Sequence, residues 1–232
     1  MNKRLIARIF FGLSVALNVC LASGQTAGVL YDPEPPRDSA YVRVLVLPKS
    51  ASFDIFIDGR ARINKLSAGD ASEYMVLTAG LHTLAIQHAG KSVPPLQTNF
   101  EVVAGRSVTM VFPDLKPGST PIVFQDKSNT NKLKALLSVY LLDSKAGPVD
   151  LLTADGTSQV FTNLKYGTSG GLLVNPISVD LIAASAGQKT PIAKVSIAMS
   201  QGGSYSIFLL PGDGGKLLAK SVQSKTERYT GK

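Results

Sequence analysis

Residues 30–47 read LYDPEPPRDSAYVRVLVL, and this stretch decides the fold class. Its prolines, Pro33, Pro35 and Pro36, fix φ, lack a backbone N–H donor and push each preceding residue toward extended geometry. The run at residues 41–47 follows directly and is rich in the aromatic and β-branched side chains that favour strands. The stretch therefore predicts a stiff, non-helical lead-in to the first strand of a β domain.

The residues before this stretch have the layout of a secretory signal. Basic residues come first (Lys3, Arg4 and Arg8), an almost uninterrupted apolar run covers residues 9–17, and the small residues Ala22 and Gly24 precede Gln25. This pattern predicts a signal peptide at residues 1–24 that is cleaved after export. An uncleaved membrane anchor is the alternative, although the apolar run is short for a bilayer span.

Composition then limits the compartment and the partners. Cys20 is the only cysteine of the 232 residues, and it lies in the predicted signal peptide, so the mature chain would contain no disulfide. An exported chain without disulfides suits a bacterial periplasm. Losing the three basic residues of the signal would lower the formal charge from +8 to +5. This modest positive charge argues against nucleic acid and is compatible with anionic polysaccharide, with acidic partners or simply with solubility.

Short apolar alternations, bounded by Gly, Pro, Asp and Asn, recur about every ten residues after the lead-in, as in all-β sandwiches. We therefore predict an all-β protein of two tandem small antiparallel β-sandwich domains joined by a short linker. The predicted boundaries are an extended Pro-rich segment at 25–39, a first sandwich at 40–113, a linker at 114–121, a second sandwich at 122–222 and a basic tail at 223–232.

The two predicted sandwiches echo each other along the chain. Asp54 corresponds to Asp150, 96 positions later, and the Asp-Gly pair at residues 58–59 corresponds to another at 155–156. Residues 41–44 align in the same way with residues 137–140. These offsets indicate two copies of one unit, although two unrelated small sandwiches would also share turns at similar spacing.

Residues that could carry catalysis are sparse. His82 and His88 are the only histidines, and no cysteine or carboxylate cluster accompanies them, so we predict no metal site. Residues 167–171 match the G-x-S-x-G nucleophile motif around Ser169, but a strand-like run follows them and both histidines lie upstream in the other domain. The glycine-rich run at 212–215 lacks the Lys-Ser/Thr ending of a phosphate loop. We therefore predict no catalytic, cofactor-binding or metal-binding residues.

Several stretches resemble one known family. Residues 30–36 and 39–44 look like the mature N-terminus of the AlgF family, which comprises periplasmic accessory proteins of alginate O-acetylation. Residues 152–156, 175–181 and 203–209 are similar to the second domain of that family. The signal peptide, the two sandwiches and the linker match over essentially the whole chain, and the shared motifs are structural.

This resemblance implies a periplasmic protein that is not an enzyme and needs no cofactor. It would act as an adaptor in exopolysaccharide biosynthesis, bridging other periplasmic and membrane proteins that acetylate mannuronate hydroxyls of alginate. The alternative is a cell-envelope module that binds exopolysaccharide. Its candidate contacts are basic side chains: Arg60, Arg62, Lys65, Arg106, Lys132 and Lys134. A third class is an acyl-carrying enzyme in which Ser169 is transiently acetylated.

Overall fold

The structure is a computed structural model that describes residues 35–49, 52–91 and 96–229. The predicted signal peptide at 1–24 and most of the Pro-rich segment at 25–39 lie outside the described residues. Apart from one short 3-10 turn at Asp213–Gly215, all regular structure in the described ranges is β-strand. No helix in those ranges has the length and apolar character needed to cross a bilayer.

Within the described ranges, sixteen strands form two sets of eight. The first set is β1 Ser39–Val46, β2 Ser52–Ile57, β3 Arg60–Ser67, β4 Met75–Thr78, β5 Gly80–His88, β6 Leu96–Val102, β7 Ser107–Phe112 and β8 Ile122–Asp126. The second set is β9 Ala135–Leu141, β10 Val149–Thr153, β11 Gln159–Leu164, β12 Ser169–Val174, β13 Ser178–Ser185, β14 Pro191–Ala198, β15 Ser204–Pro211 and β16 Leu217–Gln223.

The two sets have the same topology. The first forms sheets in the order β4-β1-β7-β8 and β3-β2-β5-β6, and the second forms β12-β9-β15-β16 and β11-β10-β13-β14. Raising every strand number by eight converts the first arrangement into the second. The prediction of an all-β chain with two tandem sandwiches is confirmed. Most described pairings are antiparallel, and each sandwich also has one parallel pairing, β1 with β7 and β9 with β15.

Three of the four buried apolar clusters among the described residues hold the sheets together. One fills the first sandwich and includes Val44 and Phe53, and another fills the second sandwich and includes Leu137 and Leu151. The third lies between the sandwiches, where the β4-β1-β7-β8 sheet packs on the β12-β9-β15-β16 sheet. Its buried members are Leu45, Val111, Phe124, Tyr140, Leu142, Phe208 and Leu210. The central strands therefore bury both faces, one in the core of their own sandwich and the other in the core between the sandwiches.

The hydrogen bonds between β1 and β7 set the register of the repeat. The Tyr41 N–H donates to the Arg106 carbonyl, and the matching bond in the second sandwich joins Leu136 N–H to the Gly203 carbonyl. Tyr41 therefore corresponds to Leu136, 95 positions later, and the alignment of residues 41–44 with 137–140 is displaced by one residue. Because successive side chains alternate between faces, this displacement exchanges the interior and interface faces of the strand.

The structure differs from the predicted domain boundaries at residues 114–126. Residues 122–126, assigned to the second sandwich, form β8 and pair with β7 in the first. Residues 114–121, assigned to the linker, connect these two strands, and the Asp114 carboxylate accepts a hydrogen bond from the Lys116 N–H at 3.2 Å. A loop within a sheet and a linker between domains both require turn-forming residues, so composition does not distinguish them. Residues 127–134 make the actual connection.

Asp54 and Asp150, which revealed the repeat, have the same structural role. Each accepts a hydrogen bond from a backbone N–H in the next strand, Asp54 from Lys65 at 2.9 Å and Asp150 from Asn163 at 2.7 Å. Lys65 and Asn163 both have positive φ, 57° and 53°, at a bulge where the pairing register shifts. Asp150 is 4% exposed and also accepts from the Gly187 N–H at 2.8 Å.

This pair provides a matched stability test. Asp150→Ala removes a buried carboxylate that accepts two part-buried backbone hydrogen bonds, so we expect it to lower the free energy of unfolding by about 2–3 kcal/mol. Asp54→Ala removes one exposed bond and should cost about 1 kcal/mol or less. Urea unfolding of both variants measures the difference, and equal costs would contradict the assigned role of Asp150.

Candidate functional site

A buried arginine lies at the centre of the interface between the sandwiches. Arg43 projects from β1 and is 1% exposed. Its Nε donates to Thr109 Oγ1 at 2.8 Å within the first sandwich. Its Nη2 donates to Tyr140 OH at 3.0 Å and Ser206 Oγ at 2.9 Å in the second, while Nη1 donates to Ser224 Oγ at 3.0 Å. One guanidinium thus joins strands of both sandwiches.

Aromatic rings surround the same guanidinium. The Arg43 Cζ lies 4.6 Å from the ring centre of Tyr74, 5.2 Å from that of Phe208 and 5.5 Å from that of Tyr140. Tyr140 in turn stacks on Phe208, with ring centres 4.9 Å apart. A delocalised cation over aromatic faces is stabilised by the ring quadrupoles, most strongly where water is excluded.

The Asp126 carboxylate balances this cation through intermediate hydroxyl groups. It accepts hydrogen bonds from Tyr140 OH at 2.6 Å, Tyr74 OH at 2.7 Å and Thr109 Oγ1 at 2.5 Å. Burial, reinforced by the carboxylate, raises the pKa of Tyr140 to about 12, and burial also raises the pKa of Tyr74 strongly. Both phenols therefore remain protonated hydrogen-bond donors at neutral pH and do not act as bases.

The end of the chain closes one side of this cluster, although its predicted role was a basic tail. The Tyr74 N–H donates to the Lys225 carbonyl at 2.8 Å, and the Glu227 N–H donates to the Tyr74 carbonyl at 2.9 Å. The Glu227 carboxylate also accepts from the Val76 N–H at 2.8 Å and forms an ion pair with Arg62. Residues 225–227 thus extend from the second sandwich along the free edge of β4 in the first.

A groove beside β4 is lined by two of the six basic residues predicted to contact polysaccharide, Arg60 and Arg62. Its volume is about 410 Å³, and its walls include Ser39, Arg60, Arg62 and His82. The other four candidates lie elsewhere. Arg106 Nη1 donates to Gln125 Oε1 at 2.7 Å, Lys65 is the bulge residue of β3, and Lys132 and Lys134 lie before β9. The six basic residues therefore do not line this groove together.

His82 lies in the groove between two hydrogen-bond acceptors. Its Nδ1 lies 2.7 Å from Asp58 Oδ2 and its Nε2 lies 2.8 Å from the Thr78 carbonyl oxygen. Both neighbours accept hydrogen bonds, so both ring nitrogens must carry protons for both bonds to form. Burial alone would lower the pKa of His82, but the bonds to Asp58 and Thr78 outweigh it and raise the pKa above the ordinary 6.5.

The other residues that the sequence offered for catalysis or metal binding lie in ordinary strand and turn positions. Ser169 is the first residue of β12, paired with Tyr140, and the glycine-rich stretch before it forms a turn in which the Gly167 N–H donates to the Leu141 carbonyl at 2.9 Å. His88 packs against Phe53 with its ring tilted by 44°, at the far end of β5 from His82. Among residues 35–49, 52–91 and 96–229, no three His, Cys, Asp or Glu side chains are grouped for metal binding.

Sequence reasoning missed both Arg43 and the His82–Asp58 pair. A charged residue within the apolar run at 41–47 was the available signal for Arg43, because an arginine at a strand centre must be exposed or fully paired. The hairpin turn that brings Asp58 toward β5 was predicted, but its histidine partner depends on the pairing of β2 with β5.

The family model described as "Alginate O-acetyl transferase AlgF" matches residues 11–205. The chain belongs to the AlgF family. The "Alginate biosynthesis protein AlgF" of Pseudomonas putida is 27% identical over 209 residues, covering 89% of this chain and 87% of that protein. The protein of the same name from Pseudomonas aeruginosa is 26% identical over 205 residues, covering 88% of each.

A solved structure of the C-terminal domain of AlgF from P. aeruginosa is also similar, at 27% identity and a TM-score of 0.34. It covers 40% of this chain and 99% of that domain. Membership of the AlgF family confirms the resemblance drawn from the sequence and places the chain among alginate biosynthesis proteins. Because the family description names an O-acetyl transferase, the expectation that this member is not an enzyme remains a prediction.

The Arg43 cluster predicts a large cost for a neutral replacement. Arg43→Met should lower the free energy of unfolding by about 3 kcal/mol. Asp126 would lose the cation that compensates its charge, and the hydroxyl groups around Arg43 would lose the donor that they share. Arg43→Lys should also destabilise the protein, since an ammonium cannot reproduce the planar fork of the guanidinium. Chemical unfolding measures both, with the exposed Arg37→Met as control, expected within about 0.5 kcal/mol of wild type. Wild-type stability of Arg43→Met would contradict the interface role.

The His82–Asp58 pair predicts a pH-dependent contribution to stability. Since the folded-state pKa of His82 is raised, the pair stabilises the fold fully below the unfolded pKa of about 6.5 and loses this effect as pH rises through the folded pKa. His82→Gln should therefore lower the melting temperature more at pH 5.5 than at about pH 9. In an Asp58→Asn background this pH dependence should disappear. A His82→Gln cost that does not change with pH would contradict the assignment.

Proposed function

We propose that this AlgF-family chain is a non-catalytic periplasmic adaptor in the O-acetylation of alginate. Family membership over residues 11–205 supports the pathway, and the export pattern of residues 1–24 supports the compartment. The adaptor bridges other periplasmic and membrane proteins of the acetylation machinery. No cofactor takes part in this role.

The interface core supports the adaptor role most directly. A flexible linker would raise the local concentration of two partners, whereas a buried interface also fixes their relative orientation. The Arg43 network and the apolar core around Leu45 and Tyr140 join the sandwiches in this way. The two outer sheets, β3-β2-β5-β6 and β11-β10-β13-β14, then present separate surfaces at a set distance.

The surroundings of Ser169 support a role without catalysis. A serine nucleophile needs a base within hydrogen-bond reach and donors that stabilise the oxyanion. Ser169 lies in an ordinary antiparallel pairing with Tyr140, while both histidines belong to β5 of the other sandwich. The protonated tyrosines of the interface do not provide such a base.

A deletion strain tests this proposal. Acetyl content of secreted alginate should fall when the gene is removed and should return with the wild-type gene or with Ser169→Ala. Purified protein incubated with an acetyl donor should show no acetyl adduct by intact mass. Full acetylation in the deletion strain would refute the adaptor role, and failure of Ser169→Ala to restore acetylation, at normal protein levels, would point to the acyl-carrying enzyme.

A further inference from the structure

The groove beside β4 contains polar groups that the fold itself does not use. Arg60 lines the groove, and its guanidinium makes no hydrogen bond with the described residues, although its charge contributes to lowering the pKa of Asp58. Ser39 also lines it and is 3% exposed. The Ser39 Oγ is the one buried side-chain polar atom in the described residues that has no hydrogen-bond partner. An unsatisfied buried hydroxyl is unfavourable in a fold, so a ligand that reached Ser39 Oγ would form a hydrogen bond that the fold leaves unmade.

The electrostatics of the groove favour one more anion. Two arginines, Arg60 and Arg62, lie in the groove with His82, and they face two carboxylates, those of Asp58 and Glu227. Asp58 is engaged by His82 and by the Thr83 N–H, and Glu227 by Arg62 and the Val76 N–H. Arg60 also acts electrostatically on Asp58, but it forms no hydrogen bond or ion pair within 4.0 Å among the described residues, so its guanidinium donors remain available to an anion.

The chain itself shows what kind of anion this wall accepts. Glu227 belongs to an extended segment that pairs in parallel with the β4 edge, through the bridge between Tyr74 and Thr226. Its carboxylate lies in the same wall, bound by one arginine and one backbone N–H. The acidic side chain of an extended peptide is thus already a ligand here, while the neighbouring arginine has no such partner.

The rest of the lining selects a peptide over a sugar. Ile57, Val76 and Leu77 contribute apolar wall and are 3–7% exposed, and Pro36 and Tyr229 add to it. Such walls accommodate the aliphatic side chains that flank an acidic residue in an extended segment. A sugar ring would need broad aromatic faces for stacking, and the lining has just one phenol ring, that of Tyr229, and the small imidazole of His82.

We propose that this groove binds an acidic, extended segment of a protein partner. An Asp or Glu carboxylate of the partner pairs with the Arg60 guanidinium and accepts a hydrogen bond from the Ser39 hydroxyl, beside an aliphatic side chain in the groove. This inference rests on the adaptor function and specifies the chemistry of one partner. The unused serine hydroxyl and the unpaired arginine then have a common purpose.

Titration of the full mature chain, followed by amide NMR shifts, tests the proposal. The probe is a blocked pentapeptide of alternating valine and glutamate, and its counterpart has glutamine in place of glutamate. We expect saturable, salt-sensitive shifts at Ser39, Thr78 and His82 with the acidic peptide alone. Arg60→Gln should weaken binding about tenfold, and Lys132→Gln, which removes an equal charge outside the groove, should leave it unchanged.

Ser39→Ala separates binding from stability. It should weaken peptide binding several-fold while leaving the protein at least as stable as wild type, because it removes an unsatisfied hydroxyl. Equal binding of the two peptides, no shifts at millimolar acidic peptide, or unchanged affinity in Arg60→Gln would each overturn the proposal. Groove shifts with a mannuronate hexamer but not with the peptide would overturn it in favour of polysaccharide. Should peptide binding fail while deletion still abolishes acetylation, the groove assignment falls and the adaptor function stands.

Discussion

The burial of Arg43 is the constraint on which the arrangement of the two sandwiches depends. A guanidinium removed from water is destabilising unless its donors and its charge are compensated. Here the compensation comes from both sandwiches together: Thr109 and Asp126 in the first, and Tyr140, Ser206 and Ser224 in the second. Sliding or separating the sheets would break these bonds within a low-dielectric interior. The network therefore selects one relative orientation, while the apolar core around it supplies the area of contact.

The same interface shows how the two sandwiches differ at equivalent positions. With the register set by the parallel strand pairs, Arg43 corresponds to Ser138 and Thr109 to Ser206. One copy thus contributes the cation, and the other contributes small hydroxyl groups at equivalent places. Two identical faces with arginine at this position would bring like charges together in a poorly solvated space, which is unfavourable. The two sandwiches are therefore complementary at the centre of their interface.

The free edge of β4 links this interface to the proposed peptide groove. Ser224, which binds Arg43, is followed by residues 225–227, which leave the second sandwich and pair along β4. Glu227 in this segment forms an ion pair with Arg62. An exposed strand edge offers unpaired backbone groups, and covering it with the protein's own chain limits unwanted association. The cover extends along only part of the edge, so that Arg60, Ser39 and Thr78 border an open groove.

The sequence by itself determined the elements of this protein. Proline placement, two-residue alternation and Asp-Gly turns act locally, so they specified strands, the β2–β3 hairpin at Asp58 and a twofold repeat anchored on Asp54 and Asp150. The resemblance to the AlgF family was also visible in the sequence motifs. The tertiary structure alone decided that Arg43 is buried, that residues 122–126 complete the first sandwich and that His82 meets Asp58. These outcomes depend on which sheet faces pack together and on the exact pairing register of the strands. Local periodicity does not encode either property, because a shift of one residue moves every side chain to the other face and leaves the apolar pattern along the sequence unchanged.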